Sequence, residues 1–301
     1  MGNFKSGFVS IIGRTNVGKS TLINLLVGEK IAIMTNKPQT TRTAIKAIVN
    51  NENSQIIFID TPGIHKPKTK LGQTMIQTAF GSVTDVDLIL FLIEATSKEI
   101  GKGDRIILDK IKESGKKTIL IINKIDLVKK EELLNLIQIY SKEYNFEAVI
   151  PISAIKGESK ETVIKEIESH LPEGPAYYGI DEYTDQTSKQ IVEEIIREKA
   201  LKLLDEEVPH GILIEVEKMK KTKTQKKEPI YNIEATIYCL RKSHKGIIIG
   251  KNGAMLKKIG TYARQDLEEM LQAKVNLQTW VKVKEDWQDE DSIVKKFKLE
   301  T

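Results

Sequence analysis

Residues 13–20, Gly13-Arg14-Thr15-Asn16-Val17-Gly18-Lys19-Ser20, carry two glycines, a lysine and a hydroxyl at the spacing G-x-x-x-x-G-K-[ST]. An apolar run at 8–12 precedes them, and a stretch with helical spacing, 19–27, follows. In that setting the loop amides gather at a helix N-terminus, which favours phosphate. Lys19 would reach the β- and γ-phosphates of a nucleoside triphosphate, and the Ser20 hydroxyl would ligate Mg2+. Thr21, in the same first turn, is counted with the nucleotide-binding residues. The alternative is a glycine turn with a surface lysine, which does not need the flanking strand and helix.

Asp60-Thr61-Pro62-Gly63 follows an apolar run at 55–59. A carboxylate there faces the crevice at the strand ends, where open α/β sheets bind ligands. Asp60 would hold Mg2+ through water. The Gly63 N–H could approach a γ-phosphate because no Cβ intervenes. Asn123-Lys124-Ile125-Asp126 follows the run 118–122. Guanine offers two donors, N1–H and the exocyclic amine, and a fixed Asp126 carboxylate accepts both. Adenine would leave that carboxylate unpaired, a mismatch that binding sites reject strongly. Ser153-Ala154-Ile155-Lys156 follows 148–152, where backbone amides could meet the guanine O6.

These motifs need elements to bring them to one place. Residues 44–49 and 55–59 read as strands, and 86–93 and 118–122 are continuous apolar runs suited to strands buried on both faces. Helical patterns lie at 103–114 and 130–143, followed by a strand at 148–152 and a helix at 159–169. The result is an α/β domain with a mostly parallel sheet and helices on both faces. The pair within 44–59 reads as a hairpin turning at Asn50-Asn51-Glu52-Asn53, so one edge strand is expected to be antiparallel. Residues 171–188 break the rhythm with two prolines, two glycines and three tyrosines, and read as a linker with some aromatic packing.

The second half has another rhythm. An acidic amphipathic helix spans 189–207, strands alternate at 211–217 and 231–238, and a short helix, a glycine-rich turn and a helix from 254 to 272 follow. Val275, Leu277, Val281 and Val283 mark a last strand, so this is a smaller α+β domain. Gly250-Lys251-Asn252-Gly253 forms G-x-x-G, with Lys245, Gly246, Ile249, Lys257 and Lys258 around it. Such a loop clamps a nucleic-acid backbone, because its glycines permit close approach and nearby bases favour phosphate. The glycines alone could instead cap a helix. Residues 218–258 carry 12 basic residues against 2 acidic ones in a chain of net charge +5, a local footprint for a polyanion. On charge alone, a solvated lysine-rich hairpin at 218–227 explains the block equally well.

The four nucleotide motifs and the G-x-x-G loop, in this order, resemble the Era family: a P-loop GTPase domain followed by a type II KH domain. The resemblance covers about 3–285. It implies a GTP-binding domain at 1–170, a linker at 171–188, an RNA-binding KH domain at 189–285 and a C-terminal helix or tail at 286–301. Pro38-Gln39-Thr40-Thr41-Arg42 resembles switch I of the family, whose threonine before the arginine closes onto Mg2+ and the γ-phosphate. That threonine maps to Thr41, with Thr40 as its competitor. Lys19, Thr41 and Gly63 would then serve catalysis, and Ser20, Thr41 and Asp60 would hold Mg2+. Asn16 would help to hold K+. Ile64 stands where Ras-like GTPases place a water-orienting glutamine, so unaided hydrolysis should be slow. Thr15 replaces the proline usual in the family. The resemblance also implies the 3′ end of 16S rRNA and the small ribosomal subunit as partners, and a role in maturing that subunit. It further implies a monomeric cytoplasmic protein with peripheral association to the inner membrane face. Two rivals are weaker. A metabolic ATP-using kinase would share the phosphate loop but not Asp126, and an RNA-binding module with a dead GTPase half would not need Lys19, Ser20 and Asp60.

Composition narrows the classes further. At roughly 100–200 residues per domain, 301 residues allow two. Cys239 is the only cysteine, which excludes an intramolecular disulfide and a cysteine-built zinc site, and suits a reducing compartment. The longest apolar run, 88–93, is far short of the ~18–20 residues that span a bilayer, and Met1–Ser6 offers no secretory signal. The four histidines are too dispersed for a metal site. Trp280 and Trp287 could stack on bases, with core packing favoured.

Overall fold

The computed structural model describes residues 4–29, 31–35, 37, 41–42, 44–64, 67, 69–225 and 227–297. The chain divides into two units, Met1–Asp185 with Lys295–Thr301, and Gln186–Val294.

In the first unit six strands form one sheet: β1 (Lys5–Ile12), β2 (Ile45–Asn51), β3 (Ser54–Asp60), β4 (Leu88–Glu94), β5 (Thr118–Asn123) and β6 (Ala148–Pro151). Their order is β2-β3-β1-β4-β5-β6, all parallel except the β2–β3 hairpin. Its helices are α1 (Lys19–Val27), α2 (Lys70–Gly81), α3 (Lys102–Ser114), α4 (Lys130–Glu143) and α5 (Lys160–His170). The period of two along β4 explains the three layers. Leu88, Leu90 and Leu92 join Leu22 and Leu26 of α1 and Val163 and Ile167 of α5. Ile89, Phe91 and Ile93 face the other way, against Ala79 of α2, Ile107 of α3 and Tyr140 of α4. Helix α2 is absent from the sequence reading. Its buried face includes Gly72, Thr74 and Thr78, which carry no apolar signal, and Thr69 caps it by accepting from the Gly72 N–H.

Of residues 171–188, read from sequence as a linker, 172–174 lie against the start of β1, where the Ser6 N–H donates to the Pro172 carbonyl at 3.1 Å, and 180–185 run along the outer edge of β2. Thr184 bridges Ala47, and the Ile48 N–H donates to the Tyr183 carbonyl at 2.9 Å. Buried Gln55 accepts from the N–H groups of Tyr177 and Tyr178 through one oxygen, at 2.7 and 3.0 Å. The Asn50 amide donates to the Ile180 carbonyl at 2.9 Å, and Tyr177 packs on Phe8 with ring centroids 5.0 Å apart. The strap covers a sheet edge that would otherwise present unpaired backbone groups.

The second unit contains α6 (Ser188–Leu203), β7 (Leu213–Lys223), β8 (Pro229–Cys239), α7 (Lys242–Ile249), α8 (Ala254–Leu271), β9 (Lys274–Val283) and the short α9 (Asp291–Val294). Its sheet, β7-β8-β9, is antiparallel in the first pair and parallel in the second. Alternating residues Ile233, Ala235 and Ile237 pack with Ile196 and Ala200 of α6 and Ile259, Ala263 and Leu267 of α8. Helix α6 ends four residues before the expected 207. The lysine block is mostly strand: 218–223 pair with 229–234, and the Lys227 N–H donates to the Thr224 carbonyl at 2.8 Å between the two strands. Lysine is well tolerated there because β7 is an edge strand. Trp287 is fully buried, with its indole N–H on the Gly211 carbonyl at 3.0 Å, whereas Trp280 on β9 is 43% exposed. Of the expected C-terminal segment 286–301, the helical turns to Val294 belong to the second unit and 295–297 to the first. Among the described residues, no helix is long and apolar enough to cross a membrane.

Candidate functional site

The phosphate loop links the end of β1 to the start of α1. Lys19 is buried, and its ammonium donates to the carbonyls of Gly13 at 3.1 Å and Arg14 at 3.0 Å. Burial lowers its pKa to about 8, with the charge of Asp60 resisting the fall. Ser20 Oγ lies 3.1 Å from Thr41 Oγ1, and Thr41 and Ser20 reach Asp60 Oδ2 at 3.2 and 3.4 Å. Asp60 is fully buried, and among the described residues its Oδ1 has no hydrogen-bond partner. Burial raises the carboxyl pKa to about 6, against the pull of Lys19, Thr41 and Ser20. Two hydroxyls and a carboxylate around one point, with a buried oxygen left unpaired, match the oxygen-donor set of a hard cation such as Mg2+. Among the described residues, no group of three or more His, Cys, Asp or Glu side chains could hold a metal. Thr41 is thus brought to Ser20 and Asp60, while Pro38, Gln39 and Thr40 lie outside the described residues.

The loop after β3 lies against the phosphate loop. A Cβ on Gly63 would stand 2.8 Å from the Thr15 Cα, so only glycine permits this approach. The Thr61 hydroxyl donates to the Ile11 carbonyl at 2.7 Å and braces the strand ends, while buried Pro62 continues the turn. The Ile64 N–H donates to the Gly13 carbonyl at 3.3 Å, and its side chain enters the apolar core. The position where a water-orienting glutamine was sought therefore points inward. Val17 is also buried, Thr21 is half-buried on α1, and Asn16 is exposed at φ 64°. Arg14 departs most from expectation: its side chain is hydrogen-bonded to Asp104 of α3 and to Ser97.

The residues expected from sequence to select the base follow β5 and β6. Asn123 is a cross-brace, donating to the Val17 carbonyl at 2.9 Å and accepting from the Ala154 N–H at 3.0 Å. The Lys156 N–H donates to the Ser153 carbonyl at 3.1 Å. Two of the amides that sequence reasoning offered to a guanine O6 are thus bonded within the protein. Asp126 is exposed, and a hydrogen bond from Ser153 Oγ at 2.6 Å holds its pKa below the usual carboxylate value. Lys124 adopts φ 65° and sets its ammonium 2.7 Å from Glu94. Glu94, Ser97, Asp104 and Tyr140 escaped sequence analysis, because they belong to no motif and matter only through partners distant in the chain.

The G-x-x-G loop joins α7 to α8. Gly250 has φ 71°, and a Cβ there would stand 2.8 Å from the Met255 Cβ. Asn252 and Gly253 also have positive φ, so the backbone turns sharply. Gly246, Lys251, Asn252, Lys257 and Lys258 are exposed, and Lys245 and Ile249 half-buried. Beside the loop lies a groove of about 350 Å³, lined by Gly253, Leu256, Arg264, Leu277 and Thr279 among others. Gly253 was a candidate from sequence, whereas Leu256, Arg264, Leu277 and Thr279 were missed as groove residues, although 256, 260 and 264 keep helical spacing and 277 and 279 keep strand spacing.

Residues 8–124 match the family model described as 50S ribosome-binding GTPase, and 207–288 match that of the KH domain. The chain is 52% identical to GTPase Era of Clostridium kluyveri, over 97% of this chain and 98% of that one. It is 54% identical to GTPase Era of Caldanaerobacter subterraneus subsp. tengcongensis, over 98% and 97%. A crystal structure of Era with MgGDPNP and nucleotides 1506–1542 of 16S ribosomal RNA is 40% identical, with a TM-score of 0.93 over 98% of both chains. A variant of Aquifex aeolicus Era bound to GDP and tetrafluoroaluminate is 39% identical, with a TM-score of 0.92 over 98% of this chain and 99% of that one.

Proposed function

The chain belongs to the Era family of GTPases, and on that premise we propose that it is a switch that binds and hydrolyses GTP in its first unit and holds the 3′ end of 16S rRNA at the G-x-x-G loop of its second. The observation that carries the nucleotide half is the convergence of Ser20, Thr41 and the unpaired Asp60 oxygen beside buried Lys19. These three residues would hold Mg2+, which when bound neutralises phosphate charge and orients the triphosphate. Lys19 exchanges two carbonyl partners for phosphate oxygens, so its desolvated charge is already in place when the nucleotide arrives. Gly63 and Thr41 complete the γ-phosphate side, with Gly13–Ser20 and Thr21 around the phosphates. Asn123, Lys124, Asp126, Ser153 and Ala154 receive guanine.

With Ile64 turned into the core, no side chain there can orient water. We read this as a slow intrinsic reaction assisted by K+ at Asn16, whose exposure and left-handed backbone on the loop support that role. Replacing KCl by NaCl at constant ionic strength should slow turnover several-fold, and equal rates would remove the K+ site.

The RNA half rests on Lys245, Gly246, Ile249, Gly250, Lys251, Asn252, Gly253, Lys257 and Lys258, and on the RNA held by the similar Era structure. A role in small-subunit assembly follows from that partner. The basic residues of 218–227 would add sequence-independent attraction to RNA or to the anionic inner face of the membrane, with the chain acting as a cytoplasmic monomer. We assign GTP binding to 1–170, linkage to 171–188, RNA binding to 189–285 and the tail to 286–301. Phosphate release and RNA retention by the full chain test the reading together. GTP but not ATP should be turned over with Mg2+, and a 16S 3′-end oligonucleotide should outcompete its reversed sequence. Equal turnover of both nucleotides, or equal binding of both RNAs, would overturn the corresponding half.

A further inference from the structure

Arg14 occupies the second position of the phosphate loop, yet its side chain is committed elsewhere. Nε donates to Asp104 Oδ1 at 3.0 Å, and Nη2 to Ser97 Oγ at 3.1 Å. Asp104, in the first turn of α3, is fully buried, and its other oxygen accepts from the Tyr140 hydroxyl of α4 at 3.1 Å. Helix α3 makes room for the arginine: a Cβ on Gly103 would stand 2.9 Å from the Arg14 Cδ. Withdrawing Arg14 toward the phosphates would strand a buried carboxylate, which is strongly unfavourable.

The same residue touches both halves of the nucleotide site. Its carbonyl accepts from Lys19 at 3.0 Å, and its backbone pairs with Ile64. Its guanidinium lies 3.7 Å from Glu94 Oε1, while Glu94 Oε2 lies 2.7 Å from the Lys124 ammonium. Lys124 stands two residues before Asp126.

We propose that the chain Arg14–Glu94–Lys124, anchored on Asp104, fixes the spacing between the phosphate loop and the base-selecting loop, which makes Arg14 a positioning residue for guanine discrimination. The inference rests on the guanine-nucleotide reading of the site. A nucleotide held at both ends can meet Asp126 with two well-aligned hydrogen bonds only if the two loops keep their separation, and small displacements are costly in oriented binding. Asn123 braces the loops at Val17 and Ala154, and the Arg14–Glu94–Lys124 chain braces them a second time through other residues.

Inosine diphosphate lacks the exocyclic amine of guanine, so the preference for GDP over IDP reads the Asp126 contact. The test measures both affinities for wild type, Arg14→Ala, Glu94→Gln and the double variant, with melting temperatures alongside. The preference should fall at least five-fold in each single variant, and the double variant should fall no further than the worse single. Equal losses of GDP and IDP affinity, leaving the ratio unchanged, would show a merely structural role and overturn the proposal. Independent, multiplying losses in the double variant would also overturn it. A wild type that does not prefer GDP would instead sink the guanine reading. If Arg14→Ala does not fold, Arg14→Lys and Glu94→Gln carry the same comparison, because Glu94 is partly exposed.

Discussion

Asp126 combines exposure with a carboxyl that stays ionised, since Ser153 donates to it at 2.6 Å and lowers its pKa. An ionised, oriented carboxylate accepts two hydrogen bonds and donates none. Base choice should therefore follow the chemistry of this one group. In Asp126→Asn, the amide can donate to the O2 of xanthine, and the preference should move from GTP to xanthosine triphosphate. A competition assay with the two triphosphates checks this. A variant that keeps the wild-type preference for GTP would show that the base is selected elsewhere. The phosphate side works by a different principle. Lys19 and Asp60 are both buried, and each is pushed toward its neutral form by desolvation. Phosphate and a cation are the partners that reverse that penalty, so the two buried groups already specify the sign of each ligand.

The strap along β2 is the element whose role is least expected from composition. Gln55 is 1% exposed and accepts two backbone N–H groups through a single oxygen, while its amide donates to the Tyr178 carbonyl at 2.9 Å. Each buried donor left without an acceptor costs about 1–3 kcal/mol. Gln55→Ala should therefore destabilise the first unit by about 2–4 kcal/mol in urea unfolding. Amide exchange at Tyr177 and Tyr178 should accelerate far more than exchange in β4 or β5. Unchanged exchange at those two amides would mean that apolar contacts such as Tyr177 on Phe8 hold the strap instead.

Each unit has its own apolar core and its own set of functional residues, so their failures should be separable. Gly253 is the better position for testing the RNA loop. A Cβ there meets nothing within 4 Å, and its φ of 76° is one that aspartate tolerates better than most residues. Gly250→Asp would press on Met255 and confuse folding with binding. Gly253→Asp places a negative charge where phosphate must pass, and RNA affinity should fall by at least ~2 kcal/mol, about 30-fold. Guanine-nucleotide affinity and melting temperature should be retained. Lys19→Ala should do the converse, losing GTP binding while keeping an RNA affinity that no longer responds to nucleotide. Filter binding of the RNA beside titration of a fluorescent nucleotide reads both variants. Full RNA affinity in folded Gly253→Asp would remove the loop assignment.

Sequence alone determined what is local: the spacing of Gly13, Gly18, Lys19 and Ser20, the two-residue rhythm of the strands, the helix–strand order and the G-x-x-G turn. These depend on backbone geometry over a few residues, so their periods survive in the one-dimensional string. Helix α2 was lost because glycine and threonine fill part of its buried face. The tertiary structure decided what depends on distant partners. Arg14 is drawn to Asp104, 90 residues away, and Asn123 is spent on Val17, 106 residues away. Gln55 holds a strap 122 residues further on. A side chain's direction is set by which groups packing leaves unpaired beside it, and spacing along the chain does not record that.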